Sequence, residues 1–215
     1  MGTGTQKRRT RLFDGVADPF GGWNRSADEH SDTAAEQLSY LVGDLRFFAK
    51  NQPLRYWTVA FSAPFVTTAA YRLERAAFLA LGRGFVVARA VAAPIRLLLR
   101  PLRHGCELQY TAQIGPRFQL QHPNMGATIS GRVVIGANVT LAGGNAIGSR
   151  RRAAGHGDVV IGDGVTIGMN ATIFGPLKIG DGALIGAGAV VVRDVEPGQR
   201  VAGVPARPVG EPSTD

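Results

Sequence analysis

Cysteine is almost missing from this chain: there is one, Cys106, in 215 residues. That excludes an intramolecular disulfide and any cysteine-rich zinc site, and it suits a reducing cytoplasm. Cys106 itself reads as a small, semi-buried hydrophobe. Long uncharged hydrophobic runs are missing too. Arg72, Glu74 and Arg75 break the first apolar segment, and Arg83, Arg89 and Arg96 interrupt the second. Neither reaches the run of about 18 residues that a bilayer crossing needs. The stretch "QKRRTRL" has paired arginines, but the polar "FDGVADPFGGWNRSADEH" follows it, so no signal peptide is expected. The expected location is cytoplasmic, with a membrane-peripheral variant left open.

Acidic residues are scarce in one half only. From Arg46 to Arg103 there are ten Lys/Arg and a single acid, Glu74, whereas from Glu107 onward nine bases face eight acids. The surplus behind the net charge of +8 therefore sits in the N-terminal half. Such a surplus can attract a membrane surface, nucleic acid or a phosphorylated cofactor. No zinc finger, RNP-like motif or recognition-helix pattern is present, so nucleic acid is not an expected partner.

Residues 1–32 are polar, Gly-rich and without period, and read as a disordered or loosely ordered arm. Residues 33–105 read as a helical domain. Asp32 or Thr33 can cap "AAEQLSYLVGDLRFFAK", Pro53 ends that run, and Pro64 interrupts the next. In "RAAFLALGRGFVVARAVAAPIRLLLRPLR" the arginines 89, 96, 100 and 103 fall on one helical face, opposite a wide apolar face. That apolar face is expected to pack on the second domain or a partner subunit with the arginines solvated. The alternative is contact with an anionic membrane.

From Leu108 the period changes to six. Aliphatic residues stand at Leu108, Ile114 and Leu120, then at Ile129, Ile135, Leu141 and Ile147, then at Ile161, Ile167, Ile173, Ile179, Ile185 and Val191. Four residues after each from Ile129 on, save Ile147 at the break in the period, stands a second register of mostly small or branched apolar residues, with Asn145 as its polar exception. A six-residue period fits neither an amphipathic helix nor a meander. It is the hexapeptide β-helix signature, in which short parallel strands turn tightly at glycines and inward aliphatics stack into a continuous core. The expected domain runs over residues 106–199, with a closing segment and tail at 200–215. The period breaks twice. Three extra residues fall in "HPNMGAT" and eight form an inserted loop at about 149–160. Each break holds a histidine, His122 and His156, and insertions in a solenoid often carry function. A zinc site of the γ-carbonic-anhydrase kind would need three converging histidines, and this segment has two, so no metal is expected.

Across residues 40–208 the chain resembles the left-handed β-helix hexapeptide acyltransferases, nearest to the serine O-acetyltransferase family. The resemblance is carried by "DLRFF", "AAYRLERA", "GCELQYTAQIGPRFQLQHP", the repeats, and the closing "GAGAVVVRDVEPGQRVAGVPARPV". It implies a helical region followed by a left-handed parallel β-helix. It also implies acetyl-CoA as co-substrate, a homotrimer or dimer of trimers, and a small-molecule acceptor. His122 takes the place of the family's general base, and Glu107, fifteen residues upstream, that of its acidic partner. A carboxylate on one ring nitrogen fixes the tautomer and leaves the other nitrogen free to take a proton from a hydroxyl, which could then attack the thioester directly.

In the same resemblance Gln121 and His156 take acceptor-contacting positions; Arg152, with Arg150 and Arg151 in the inserted loop, could bind an acceptor carboxylate or the cofactor's phosphates. Gly168, Met169, Gly186 and Ala187 line the CoA groove between adjacent subunits, with Lys178, Arg193 and Arg207 as phosphate partners. Three positions depart from the pattern. Gln121 stands where the serine enzymes carry aspartate, Gly155 where they carry arginine, and Met169 where a small residue is usual. An acyl acceptor other than serine, such as a sugar, a lipid-linked glycan or a natural-product amine, is the alternative, and a non-catalytic scaffold a further one.

Overall fold

The computed structural model describes residues 32–49, 53–98, 105–149 and 158–210. The disordered or loosely ordered arm expected over 1–32 lies outside them except for Asp32, and so does the tail beyond 210. The described residues fall within one unit.

Five helices come first: α1 (Ala34–Ala49), α2 (Pro53–Ala60), α3 (Ala63–Leu81), α4 (Phe85–Val91) and α5 (Ala93–Leu98). Thr33 caps α1 reciprocally. Its hydroxyl accepts from the Glu36 N–H at 3.2 Å, and the Glu36 carboxylate accepts from the Thr33 N–H at 2.7 Å. Asp32 is thus left to receive Arg75 Nε at 2.6 Å. The prolines open helices here. Pro53 begins α2 and Pro64 sits in the first turn of α3, where a missing N–H costs nothing. The chain breaks before Pro64, at Phe61–Ser62.

The arginine face of α4–α5 is oriented opposite to expectation. Arg89 and Arg96 turn inward, their guanidinium groups 3.5 and 3.0 Å from the Glu74 carboxylate on α3. Arg89 also stacks 4.6 Å from the ring centroid of Tyr110. The apolar side chains face outward instead. The physical reason is Glu74, the single acid of that stretch: desolvated charge is held by an opposite charge, and valine needs no partner. Arg100 and Arg103 lie outside the described residues.

The β-helix has three faces. The first carries β1 (Glu107–Leu108), β4 (Ala127–Ile129), β7 (Asn145–Ser149), β10 (Thr172–Gly175) and β13 (Val190–Val191), paired in that order. The second carries β2 (Gln113–Ile114), β5 (Val133–Ile135), β8 (Val159–Ile161) and β11 (Leu177–Ile179). The third carries β3 (Gln119–Leu120), β6 (Thr140–Leu141), β9 (Thr166–Ile167), β12 (Leu184–Ile185) and β14 (Arg200–Ala202). Pairing is parallel throughout, until β15 (Arg207–Pro208) folds back antiparallel on β14. The last parallel rung therefore lies at 200–202, beyond the boundary at 199 that the repeat suggested, because the closing turn displaces it from the six-residue period. Helices first, then a left-handed parallel β-helix, is the architecture.

Each aliphatic of the six-residue period is buried, from Leu108 at 7% exposure to Ile179 at zero. Ala112 and Phe118 extend the second register into the first coil, also buried. Extra residues do not disturb this stack. Glu107 still pairs with Thr128 and Leu108 with Ile129, because the surplus after Leu120 winds into a short 3-10 turn, Pro123–Met125.

Three side chains of α3 tie the helices to the first coil, Arg75 among them by donating to the Tyr110 carbonyl at 2.9 Å. The Tyr71 hydroxyl donates to the Ala112 carbonyl at 2.8 Å. Arg72, fully buried, donates to Asp44 Oδ2 at 3.0 Å, Gln37 Oε1 at 3.1 Å and the Gly115 carbonyl at 2.6 Å. Asp44 Oδ1 in turn accepts from the Arg117 N–H at 2.8 Å. Burial raises the Asp44 carboxyl above its ordinary range, and the neighbouring Arg72 charge opposes that rise.

Candidate active site

Where the third face turns back to the first, one edge of the prism collects several of the residues singled out by sequence. Gln121, Ala142, Gly168 and Gly186 stack along it. Each donates its N–H to the rung beyond, to the carbonyls of Leu141, Ile167, Ile185 and Val201. One residue further along each rung stand His122, Gly143, Met169 and Ala187. Neighbouring parallel strands are about 4.8 Å apart, so Met169 lies about 10 Å and Ala187 about 14 Å from His122 along the edge. Arg207 of β15 pairs with Ala202, the next residue in the stack, and so continues the edge at its far end.

His122 is exposed at the start of this edge, and its backbone is held at both polar groups. Its N–H donates to the Ala142 carbonyl at 3.1 Å, and its carbonyl accepts from the Met125 N–H at 3.1 Å. Pro123, buried, follows it and opens the 3-10 turn. Beneath lies Gly143, at φ +125°, where a Cβ would sit 2.6 Å from the His122 carbonyl oxygen. No side chain fits there. Gly168 is excluded from carrying one in the same way, by the Ala187 nitrogen at 2.5 Å. The edge is therefore narrow and backbone-lined at Gly168, with the half-buried Met169 beside it.

Asn145, the polar exception in the second register, explains itself here. It is buried, accepts from the Gly143 N–H at 3.0 Å and donates to the Gly168 carbonyl at 2.7 Å. It joins the rung under His122 to the rung of Gly168. Asn145→Leu strands the buried Gly143 N–H and leaves the Gly168 carbonyl only the Ala171 N–H at 3.3 Å, and is expected to cost about 1–3 kcal/mol in a denaturant or thermal melt. The sequence reading assigned no role to Asn145, although its break in an otherwise apolar register was the signal.

Glu107 opens β1 on the coil that His122 closes, and both side chains are exposed. The backbone brings their neighbours together: the buried Cys106 thiol donates to the Pro123 carbonyl at 3.3 Å. Burial pushes that thiol's pKa up. Among the described residues no hydrogen bond or ion pair joins Glu107 to His122. Glu107 lines a cleft of about 900 Å³ under α4–α5, together with Glu74, Arg89, Arg96 and Tyr110.

Two predicted cofactor residues fall elsewhere. Lys178 is on the second face, and Arg193 follows β13 at the edge between the first and second faces. The inserted loop springs from that same edge, between Ser149 and Asp158. Arg152 and His156 lie outside the described residues. The loop's roots and His122 thus stand on different edges of one prism. Spacing alone did not reveal this, because the period states depth in the core and not which edges face one another. Among the described residues no three His, Cys, Asp or Glu gather closely enough to hold a metal ion.

Comparison with known proteins agrees with this architecture. Residues 158–193 match the family model of bacterial transferase hexapeptide repeats. A serine acetyltransferase of Mycobacterium tuberculosis is 36% identical over 126 residues, 59% of this chain and 52% of that protein. Soybean serine acetyltransferase, solved as the apoenzyme, is 31% identical and superposes with a TM-score of 0.63, over 81% of this chain and 69% of that one. The serine acetyltransferase of Brucella abortus strain S19, solved in complex with coenzyme A, is 26% identical with a TM-score of 0.65, over 82% of this chain and 69% of that one. The chain spans about half the length of the curated relatives it matches, 52% and 55% for two of them. Resembling the soybean enzyme at this identity over more than two thirds of its length, the chain belongs to the serine acetyltransferase family of hexapeptide-repeat proteins.

Proposed function

We propose that the protein is an acetyl-CoA-dependent O-acetyltransferase acting on serine or a serine-like small metabolite. One observation carries the reading: an exposed histidine heads an edge that continues through Ala142–Gly143 to the backbone-lined Gly168–Met169 and Gly186–Ala187, with Arg207 beyond. A pantetheine arm extended along that edge points its thioester at His122 and its phosphates toward Arg207. The relatives' printed names and the coenzyme A complex of the Brucella protein support the same reading.

In this mechanism the acceptor hydroxyl gives its proton to the His122 imidazole as its oxygen attacks the thioester carbon. The carbonyl π electrons move to oxygen, and a backbone N–H of the edge steadies that oxyanion. The C–S bond then breaks, and the thiolate takes the proton from the imidazolium. Glu107, one rung from His122, is the carboxylate that would orient the ring. No covalent acyl-enzyme is formed. In a homotrimer, or a dimer of trimers, the loop edge of one copy borders the histidine edge of the next. Lys178 and Arg193 then approach the site from the neighbour, as does the inserted loop that carries Arg152 and His156, which accounts for the separation of Lys178, Arg193 and the loop's roots from His122 within one chain.

A second reading, acylation of a sugar, a lipid-linked glycan or an amine, is favoured by the exposed neutral side chain of Gln121 beside His122. An amide lacks the charge that makes contact with a substrate ammonium strong. Thiol release from acetyl-CoA with a panel of acceptors separates the two. Release with L-serine well above the water background supports the first. Release with a sugar or an amine and none above background with serine replaces it by the second. No release with any acceptor removes the enzyme reading and leaves a scaffold.

A further inference from the structure

Helices α4 and α5 are built inside out. Along the residues from Phe85 to Leu98, the inward stripe is Phe85, Arg89, Ala92 and Arg96, and the two arginines are spent on Glu74 and Tyr110. The outward surface is apolar: Val86, Val87, Val91, Ile95 and Leu98 are 62–78% exposed. Apolar residues exposed singly need no explanation, but a contiguous ridge of branched aliphatics does. Pro94 breaks the ladder between the two helices, so the ridge is two short pieces rather than a rod. No described helix is long and apolar enough to cross a membrane.

Charge decides what covers such a ridge. From Arg75 through Cys106 the chain has no Asp or Glu, and the exposed Arg83 stands immediately before α4. A second copy docked ridge to ridge would bring this basic segment against itself, with no acid to receive it. An anionic surface receives both parts, the aliphatics in its apolar boundary and the arginine among its headgroups.

We propose that the α4–α5 ridge is a membrane-contact surface that seats the protein on anionic phospholipid, lying in the interface without crossing. This stands apart from the acyl-transfer reading, since no ridge residue belongs to the histidine edge. The cleft bearing Glu107 lies on the inner side of the same helices, so the contact would hold that cleft close to the bilayer surface.

The full chain is sedimented with vesicles of phosphatidylcholine alone, and with vesicles of phosphatidylcholine mixed with phosphatidylglycerol. Binding to the mixed vesicles only, weakened by salt, is expected. Combined Val87→Ser, Val91→Ser and Leu98→Ser should lower that binding by at least about tenfold, because each buried aliphatic contributes to partitioning. Arg83→Glu should lower it by about fivefold or more. Both variants are checked for an unchanged thermal midpoint, and if the triple variant melts early, Arg83→Glu alone decides. Absence of binding to the mixed vesicles at low salt overturns the proposal. So does binding that survives both variants, which would place the contact elsewhere in the chain. A concentration-dependent dimer abolished by the ridge substitutions, without vesicle binding, overturns it in favour of a second copy.

Discussion

His122→Ala is expected to slow acetyl transfer by about a hundred- to ten-thousandfold, the usual contribution of a positioned general base. The same substitution should leave stability within about 0.5 kcal/mol of the parent, as for an exposed side chain without structural contacts. The structure supports that separation. The imidazole is exposed, and the corner is held by groups other than the ring: the Ala142 carbonyl, the Met125 N–H, the buried Pro123 and the Gly143 turn. Removing the ring therefore changes the chemistry of the edge and leaves its shape. Affinity for CoA should be preserved, since Gly168, Met169, Gly186 and Ala187 lie on later rungs. Glu107→Gln should slow turnover less, by about tenfold, because it removes orientation of the ring and not the base. Full turnover in both variants would show that the base is elsewhere.

The second large effect concerns the seam between helices and β-helix. Arg72→Leu is expected to cost about 3–5 kcal/mol, the range for stranding one partner of a buried ion pair. Domains of this kind have only about 5–15 kcal/mol in total. Both Arg72 and Asp44 side chains are fully buried, and the guanidinium also satisfies Gln37 and the Gly115 carbonyl. Leucine leaves those acceptors without a donor and a carboxylate without its counter-charge. Adding Asp44→Asn should recover part of the loss, since an amide oxygen can still accept from the Arg117 N–H.

The pH dependence has a defined sign. Burial holds the Asp44 pKa above its ordinary value, so the folded state binds its proton more readily than the unfolded chain. This group's contribution to stability is full below the ordinary carboxylate range and is lost as pH rises through the raised folded value. Without Arg72 only the Arg117 and Phe118 N–H groups oppose the rise. The deficit of Arg72→Leu should thus be largest at neutral pH and shrink on acidification, measured by thermal melts of both proteins across that range.

Much of the β-helix was legible because its core demands an aliphatic every six residues and the chain supplies one from Leu108 to Val191. The edge was legible by the same arithmetic. His122 stands two residues past Leu120, Met169 two past Ile167 and Ala187 two past Ile185, so all three occupy equivalent corners. Lys178 is in another register and lies on the second face, whereas Arg193 is two past Val191 but one hexad after Ala187, so it turns the next edge round the coil. What periodicity could not give was long-range pairing. The outward turn of the α4–α5 valines depends on Glu74, which is distant in sequence from Arg96 and met only after folding. The exclusion of side chains at Gly143 depends on the His122 carbonyl of the preceding coil. Asn145 looked like a defect in the apolar register until both its partners, one before it and one after, could be seen.

The central claim is that the edge headed by His122 receives acetyl-CoA. Amide hydrogen exchange with and without CoA tests it directly. The account predicts slowed exchange at residues 168–169 and 186–187, with the corners at Gly162 and Gly180, on the edge between the second and third faces, unchanged. Protection of those corners instead, or no protection at any edge with saturating CoA, would contradict it.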